Sequence, residues 1–336
     1  MPRRTDLLNK TILLTGGTGS FGKAFIAYLL RKNNFRGVIR VFSRDEFKQS
    51  QLQEKYIGDK RLRFFIGDVR DVSRLRRAME GVDIVVHAAA LKQIPILEYN
   101  PFEAVKTNIL GSQNVIDCAL DLGVKKTILI SSDKAVSPTN LYGATKMVAE
   151  KIFTQANAYV GKKSTRLSVV RYGNVVASRG SVIPKFQLQA KTNVLTITDE
   201  RMTRFWITLD QGVKFVLRVL EEMEGGEIFV PKLPSVRIID FAKAIAPNAK
   251  IKKIGIRPGE KLHEVLINGD EARHTKEFKN YFIVEPEFLW NRKIKNKTKR
   301  GKVLGEEFRY SSESNNRWLS LPNIYKYLKD YTAENG

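Results

Sequence analysis

Residues 11–22 read TILLTGGTGSFG, and this stretch decides the fold. A short apolar strand runs into a glycine-rich turn, and an apolar helix follows. Gly16 permits the tight turn. Gly19 lets the backbone approach a pyrophosphate, and Gly22 lets helix and strand pack closely. Thr15, Ser20 and Phe21 flank the same turn. A glycine triplet alone is weak evidence; placed after the first strand and before a helix, it predicts a dinucleotide-binding βαβ unit.

Outward from this stretch, apolar runs alternate with amphipathic ones. VIRVFS (38–43), RLRFFIGDV (61–69), VDIVVHAAA (82–90), KKTILISS (125–132) and LSVVRYGNV (167–175) read as strands. Helices are expected near 71–80, 100–122 and 141–160. Strand–helix alternation predicts an α/β fold with a doubly wound parallel sheet. Beyond about residue 175 the pieces are shorter and broken by Pro and Gly. The expected organisation is a dinucleotide-binding part over 1–175 carrying the catalytic residues. A smaller mixed part over 176–336, interleaved with the first, mostly binds substrate.

Bulk properties narrow the class. The chain has 336 residues, and 43% of them are apolar. No apolar run approaches the roughly 18–20 residues that span a bilayer. The N-terminus, MPRRTDLLNKTILL, lacks a signal-peptide core. The single cysteine, Cys118, fits a reducing, cytoplasmic setting. Lys and Arg number 58 against 35 Asp and Glu, a net charge of +23. The charges are interleaved along the chain, and the one dense basic run, 291–302, sits in no nucleic-acid module. A solvated loop is the expectation there, with neither nucleic acid nor membrane as partner. The positive field suits an anionic substrate.

The second strand ends in Ser43-Arg44-Asp45, with Lys48 one turn on. An NAD site usually places an acid there for the ribose 2′-hydroxyl. A small hydroxyl followed by a guanidinium suits a 2′-phosphate instead, so NADP is the expected cofactor. Asp68 and Val69 stand where adenine lies, and Ala88, Ala89 and Ala90 under the ribose and phosphates. His87 reads as a structural strand-end residue.

Residues 131–146 read SSDKAVSPTNLYGATK. Tyr142 and Lys146 are one helical turn apart and share a face. An ammonium at Lys146 is expected to lower the Tyr142 pKa and to hold the nicotinamide ribose. Ser132, at the strand end, can bind the substrate hydroxyl. Such a set removes a hydroxyl proton while a nicotinamide takes the hydride. Asp133 and Lys134 add an acid and a base that a plain reductase or epimerase does not need.

With these motifs in view, the chain resembles the extended short-chain dehydrogenases/reductases with the NAD(P)-binding Rossmann fold. Within them it is similar to the nucleotide-sugar 4,6-dehydratases, nearest their C5-inverting UDP-N-acetylglucosamine branch, which begins pseudaminic acid synthesis. FSRDEFKQ, HAAALKQIPILEYNP, TNILGSQNV, VRYGNVVASRGSVIPKF, MTRFWIT, RPGEKLHEVLI and the tail piece RYSSESNNRWL carry the likeness along with the two stretches above. Ser132 stands where the family often has Thr. The resemblance implies a lyase reaction: C4 oxidation, loss of water across C5 and C6, and return of the hydride to C6. It gives Lys134 the C5 proton and Asp133 the departure of the C6 hydroxyl. Retaining relatives carry Asp-Glu here, so Asp-Lys implies inversion. Lys92, Asn174, Arg179, Arg204, Arg257 and Glu260 become candidate contacts to UDP-N-acetylglucosamine. Glu103, Asn108 and Arg171 read as structural. No metal site is expected, and a homo-oligomer, dimer or hexamer, is implied. A UDP-sugar 4-epimerase and a retaining dehydratase stay open as alternatives, as does an NADP-sensing or nucleic-acid-binding scaffold.

Overall fold

The computed structural model describes residues 7–32, 34–175, 182–288 and 301–335. Six strands form the parallel heart of one sheet: β1 (Thr11–Thr15), β2 (Val38–Ser43), β3 (Leu62–Ile66), β4 (Ile84–His87), β5 (Lys126–Ser132) and β6 (Arg166–Tyr172). Their order is β3-β2-β1-β4-β5-β6, every pairing parallel. β1, β4 and β6 are buried almost throughout. Helices cover both faces of such a sheet, so its strands read as continuous apolar runs rather than alternating ones. Chain order reverses between β1 and β4, and a crevice opens there beyond the strands' C-terminal ends.

The sheet continues past β6. Ile228–Pro231 joins parallel to it, and Tyr281–Val284, Thr275–Glu277 and Lys302–Val303 extend the edge antiparallel. Residues far along the chain thus share the main sheet. A second apolar core, including Ile183, Phe186, Trp206, Phe241 and Ile324, packs the remaining C-terminal elements together. Most of the basic run 291–302 lies outside the described residues. Among those described, no helix is long and apolar enough to cross a membrane.

The helix expected over 100–122 forms in three pieces, Pro101–Ala104, a π-helical turn Val105–Leu110, and Gly111–Asp121. The wide turn carries Asn108, which is buried. Its amide accepts from Leu91 N at 2.8 Å and donates to Leu91 O and Thr145 Oγ1. Asn108 therefore ties the loop after β4 to the helix Leu141–Gln155.

Arg171 is a second such tie, on β6. It is 2% exposed, and its guanidinium donates to Glu150 at 2.6 Å, Glu271 at 2.7 Å and the Leu266 carbonyl at 2.9 Å. A buried charge needs such full pairing. The two carboxylates hold its pKa above the ordinary arginine value against the effect of burial. The bridge fastens helix Leu141–Gln155 to the strand Val265–Ile267.

Candidate active site

A cleft of about 580 Å³ runs along the C-terminal ends of β1 to β6. At its centre the glycine turn takes the expected shape. Gly16 has φ +67°, and a Cβ there would come within 2.9 Å of the Ala88 and Ala89 backbone. A Cβ at Gly22 would overlap the Gly17 backbone, so this glycine lets the helix Ser20–Arg31 close on the turn itself. That helix begins at Gly19 with no side-chain cap and no acid in its first turn. Its positive end is therefore suited to a pyrophosphate.

Gly16, Gly19, Ser20, Phe21, Gly22, Ser43, Arg44, Lys48, Asp68, Val69 and Ala88–Ala90 all line the cleft. Thr15 lies beneath this lining. It is fully buried, and its hydroxyl bonds His87 Nδ1 at 2.7 Å and accepts from Ala89 N. His87 Nε2 in turn meets Ser112 Oγ at 3.1 Å. Burial, helped by the Lys146 charge, drops the His87 pKa to about 3, so this imidazole is neutral and structural. The chain of bonds supports the cleft floor from below.

At the outer end, Lys48 is ion-paired with Asp45, whose side chain also caps the helix Glu46–Lys55. Arg44 lies 3.6 Å from Asp68, with its side chain half exposed. Asp68 is more tightly engaged with Arg70, at 2.7 Å. Arg44 is thus the more loosely held cation and can turn toward a phosphate, while Lys48 is balanced locally.

At the inner end β5 stops at Ser132, and a single 3-10 turn, Asp133–Ala135, follows. Ser132 Oγ accepts from Lys134 N at 3.2 Å and fixes that turn. The helix Leu141–Gln155 is capped by Asn140, whose side chain accepts from Gly143 N. A Cβ at Gly143 would overlap the Lys134 carbonyl, so glycine inside the Tyr142–Lys146 spacing lets the helix close on the Asp133–Lys134 turn. Ser132, Asp133, Lys134, Tyr142 and Lys146 all line the cleft, with Lys92 and Asn174.

Burial is the largest influence on the titration of both helix residues, Tyr142 and Lys146. Burial raises the Tyr142 pKa; the opposing influences are a hydrogen bond from Ser132 and the charge of Lys134. Lys146 instead donates to the Ile130 carbonyl at 2.7 Å, and burial lowers its pKa to about 8. Lys134 is a cation whose charge opposes that rise at Tyr142.

Asp133 and Lys134 belong to a larger unit. Lys134 Nζ lies 3.1 Å from Asp133 Oδ1 and 2.7 Å from Glu264 Oε1. Asp133 is 2% exposed and Glu264 0%. Arg204 Nε approaches the same Glu264 oxygen at 3.5 Å. Burial raises the Asp133 pKa despite Lys134. For Lys134, burial is outweighed by Asp133 and Glu264, and its pKa rises. Glu264 is also pushed up by burial, but Lys134 and Arg204 bring it below the ordinary range. Sequence reading missed Glu264. Its one signal is a carboxylate within the apolar run that becomes the strand Val265–Ile267.

Arg204 is engaged by the protein itself. It lies outside the cleft lining, and its guanidinium donates to the carbonyls of Thr203, Leu262 and Lys261. Arg257 and Glu260 also lie outside the lining and pair with each other at 3.7 Å. The intervening Gly259 carbonyl accepts from Asn140 and Thr139 beside the Tyr142 helix. Arg179 falls outside the described residues.

Four buried oxygens on the cleft wall have no hydrogen-bond partner: Thr107 Oγ1, Ser131 Oγ, Asp133 Oδ2 and Asn174 Oδ1. Unsatisfied buried polar atoms are costly, so they mark where a ligand completes the wall. With the glycine turn and the uncapped helix, they fit a nicotinamide dinucleotide and a polar second ligand.

Sheet, glycine turn and Ser132-Tyr142-Lys146 together define an extended short-chain dehydrogenase/reductase. More narrowly, the chain belongs to the family described as "Polysaccharide biosynthesis protein", whose profile matches residues 12–286. It is 51% identical to the UDP-N-acetylglucosamine 4,6-dehydratase (inverting) of Campylobacter jejuni, over 95% of this chain and 97% of that one. It is 43% identical to a UDP-glucose 4-epimerase of Rickettsia conorii, over 82% and 83%. Among solved structures, Pen from Bacillus thuringiensis superposes with a TM-score of 0.88 at 38% identity, covering 98% and 99% of the two chains. DesIV, a dTDP-glucose 4,6-dehydratase of Streptomyces venezuelae solved with NAD bound, shares the fold alone. Its TM-score is 0.66 at 22% identity, over 75% and 86%.

Proposed function

We propose that this chain is a C5-inverting UDP-N-acetylglucosamine 4,6-dehydratase that holds NADP and opens a route to pseudaminic acid. The observation that carries the reading is the buried Asp133–Lys134–Glu264 unit beside Ser132 and Tyr142. An epimerase has no use for an acid and a base beyond its hydroxyl-deprotonating set. The near full-length likeness to an inverting dehydratase supports the same choice.

A bound nicotinamide supplies reversible two-electron oxidation of the sugar. This chain's residues do the rest. Ser132 orients the C4 hydroxyl and Tyr142 takes its proton, helped by the Lys134 charge. Lys146 holds the nicotinamide ribose from the cleft wall. Once C4 is a ketone, the C5 proton is acidic. Lys134 can pass its own proton to Asp133 Oδ1, 3.1 Å away. That leaves a neutral amine to take the C5 proton and a carboxylic acid to protonate the departing C6 hydroxyl. Burial of Asp133 favours this transfer, and the adjacent pair titrates as a unit. C5 then regains a proton from solvent on the opposite face, and Lys134 returns the abstracted proton to Asp133 or solvent. Arg44 supports NADP over NAD, Lys92 and Asn174 are the cleft's substrate contacts, and the cytoplasm is the expected setting. A homo-oligomer belongs to the same reading, supported by exposed apolar Ile96, Tyr99, Phe102 and Met147 on neighbouring helices.

The test is a proton NMR time course in deuterated buffer with UDP-N-acetylglucosamine and no added cofactor. A new C6 methyl, deuterium at C5 and L-arabino couplings are expected. D-xylo couplings would leave a dehydratase but remove inversion. A galacto sugar without a methyl would replace the reading with epimerisation.

A further inference from the structure

Glu264 exchanges no proton in the reaction as described, yet it is fully buried against Lys134. Its side chain is 0% exposed and touches two cations, Lys134 at 2.7 Å and Arg204 at 3.5 Å. Its backbone is held just as firmly. Glu264 N donates to Ser312 Oγ at 2.9 Å, and Ser312 N donates back to Glu264 O at 2.8 Å. Ser312 Oγ also bonds Thr203 Oγ1 at 2.7 Å. The strand Val265–Ile267 pairs with Tyr310–Ser311 directly alongside. The tail motif RYSSES therefore clamps Glu264 in place.

We propose that Glu264 is a positioning residue, the third member of the acid–base unit, which anchors the Lys134 ammonium from the C-terminal part of the chain. The inference rests on the dehydratase reading. A buried carboxylate so close to Lys134 does two things. It fixes the Nζ in one place, so that the amine meets C5 from one direction. It also resists the transfer of the Lys134 proton to Asp133, so the base is released only when substrate and ketone are in place. The other charged or titratable groups facing Lys134 are Asp133, Arg204, Lys261 and Tyr142. Arg204 and Lys261 are cations and favour the amine, Asp133 favours the ammonium, and Glu264 decides the balance.

The experiment compares the wild type with Glu264→Gln and Glu264→Asp in the holoenzyme, measuring kcat, KM and C5 deuterium incorporation from pH 5 to 9. Gln keeps the shape and removes the charge. Both Lys134 and Asp133 then titrate lower, since the Glu264 anion raises both. Expected for Gln is a tenfold or greater fall in kcat, a KM within about threefold, and both limbs of the profile displaced to lower pH. Asp keeps the charge at longer range and moves the limbs part of the way. A slower enzyme with unmoved limbs would mean a purely structural carboxylate and overturn the proposal, as would a Gln variant with wild-type kcat. If the Gln variant does not accumulate folded, the Asp variant decides alone: displaced limbs support the proposal, unmoved limbs overturn it. A wild type that makes no C6 methyl would sink the dehydratase reading instead, and is read separately.

Discussion

Replacing Lys134 by Met removes the cation between two buried carboxylates and keeps most of the side-chain volume. At 2.7 and 3.1 Å, and an effective dielectric constant of about 20, each contact is worth roughly 5–6 kcal/mol before desolvation is subtracted. Breaking a buried pair by removing one partner costs about 3–5 kcal/mol net. Arg204 retains part of the Glu264 interaction, and Asp133, already raised, takes up a proton. The lower end, about 3 kcal/mol, is therefore expected at neutral pH. A chain of 336 residues has an unfolding entropy near 0.7 kcal/mol/K, so the melting temperature falls by about 4 °C. The penalty is an excess of buried negative charge, so it shrinks as the pH drops and the carboxylates protonate. For activity, loss of the C5 base lowers the rate of methyl formation by roughly 10²–10⁴. Ser132, Tyr142 and Lys146 remain, so C4 oxidation continues, slowed by the loss of the Lys134 charge that favours the Tyr142 phenolate, and nicotinamide fluorescence should build up on mixing with substrate. Differential scanning calorimetry, NMR and stopped-flow fluorescence measure the three effects. Methyl formation within tenfold of wild type would refute the assignment of Lys134 as the base.

Other positions give shorter tests. Arg44→Ala removes one charge-assisted phosphate contact, so NADP affinity should fall by about 10–100-fold and NAD affinity stay level; calorimetric titration with both cofactors decides, and equal losses would count against the 2′-phosphate role. Gly16→Ala places a Cβ in the Ala88–Ala89 backbone at a positive φ, a strain of about 1–2 kcal/mol before the contact itself. The protein should purify without nucleotide, and a full complement of nucleotide would contradict the cradle. His87 is neutral when folded and charged when unfolded below its ordinary pKa near 6.5. Its depressed folded pKa gives stability that is present above pH 6.5 and is lost, by about 1.4 kcal/mol per unit, as the pH falls toward 3. His87→Gln should flatten the acid limb of a urea-stability profile; an unchanged slope would assign acid lability elsewhere.

The parallel half of the fold was legible because its signals are local. The apolar strands and the glycine turn each declare themselves within a dozen residues, and Ser132, Tyr142 and Lys146 fall within fifteen. An arginine such as Arg204 in a basic chain carries no sign of what it faces. Only the fold shows its guanidinium spent on three carbonyls and Glu264. Glu264 itself lies about 130 residues from Lys134 in sequence, so no local pattern joins them. Helical spacing shows that Tyr142 and Lys146 share a face but not where an amine points. Lys146 points to Ile130 O. The antiparallel extension of the sheet was hidden for a related reason: strands of two to four residues carry little periodicity.

The clamp of Ser312 on Glu264 also orders events on the ribosome. The sheet from β1 to β6, the glycine turn and the Tyr142 helix can all emerge and fold while the last third of the chain is still being made. Until then Lys134 lacks Glu264 as a partner. Lys134 acquires its second carboxylate once residue 264 emerges, and that carboxylate is locked once residue 312 follows. A nascent or truncated chain could thus grip its dinucleotide yet lack a set acid–base unit, and the machinery for expelling water is among the last parts of the molecule to be finished.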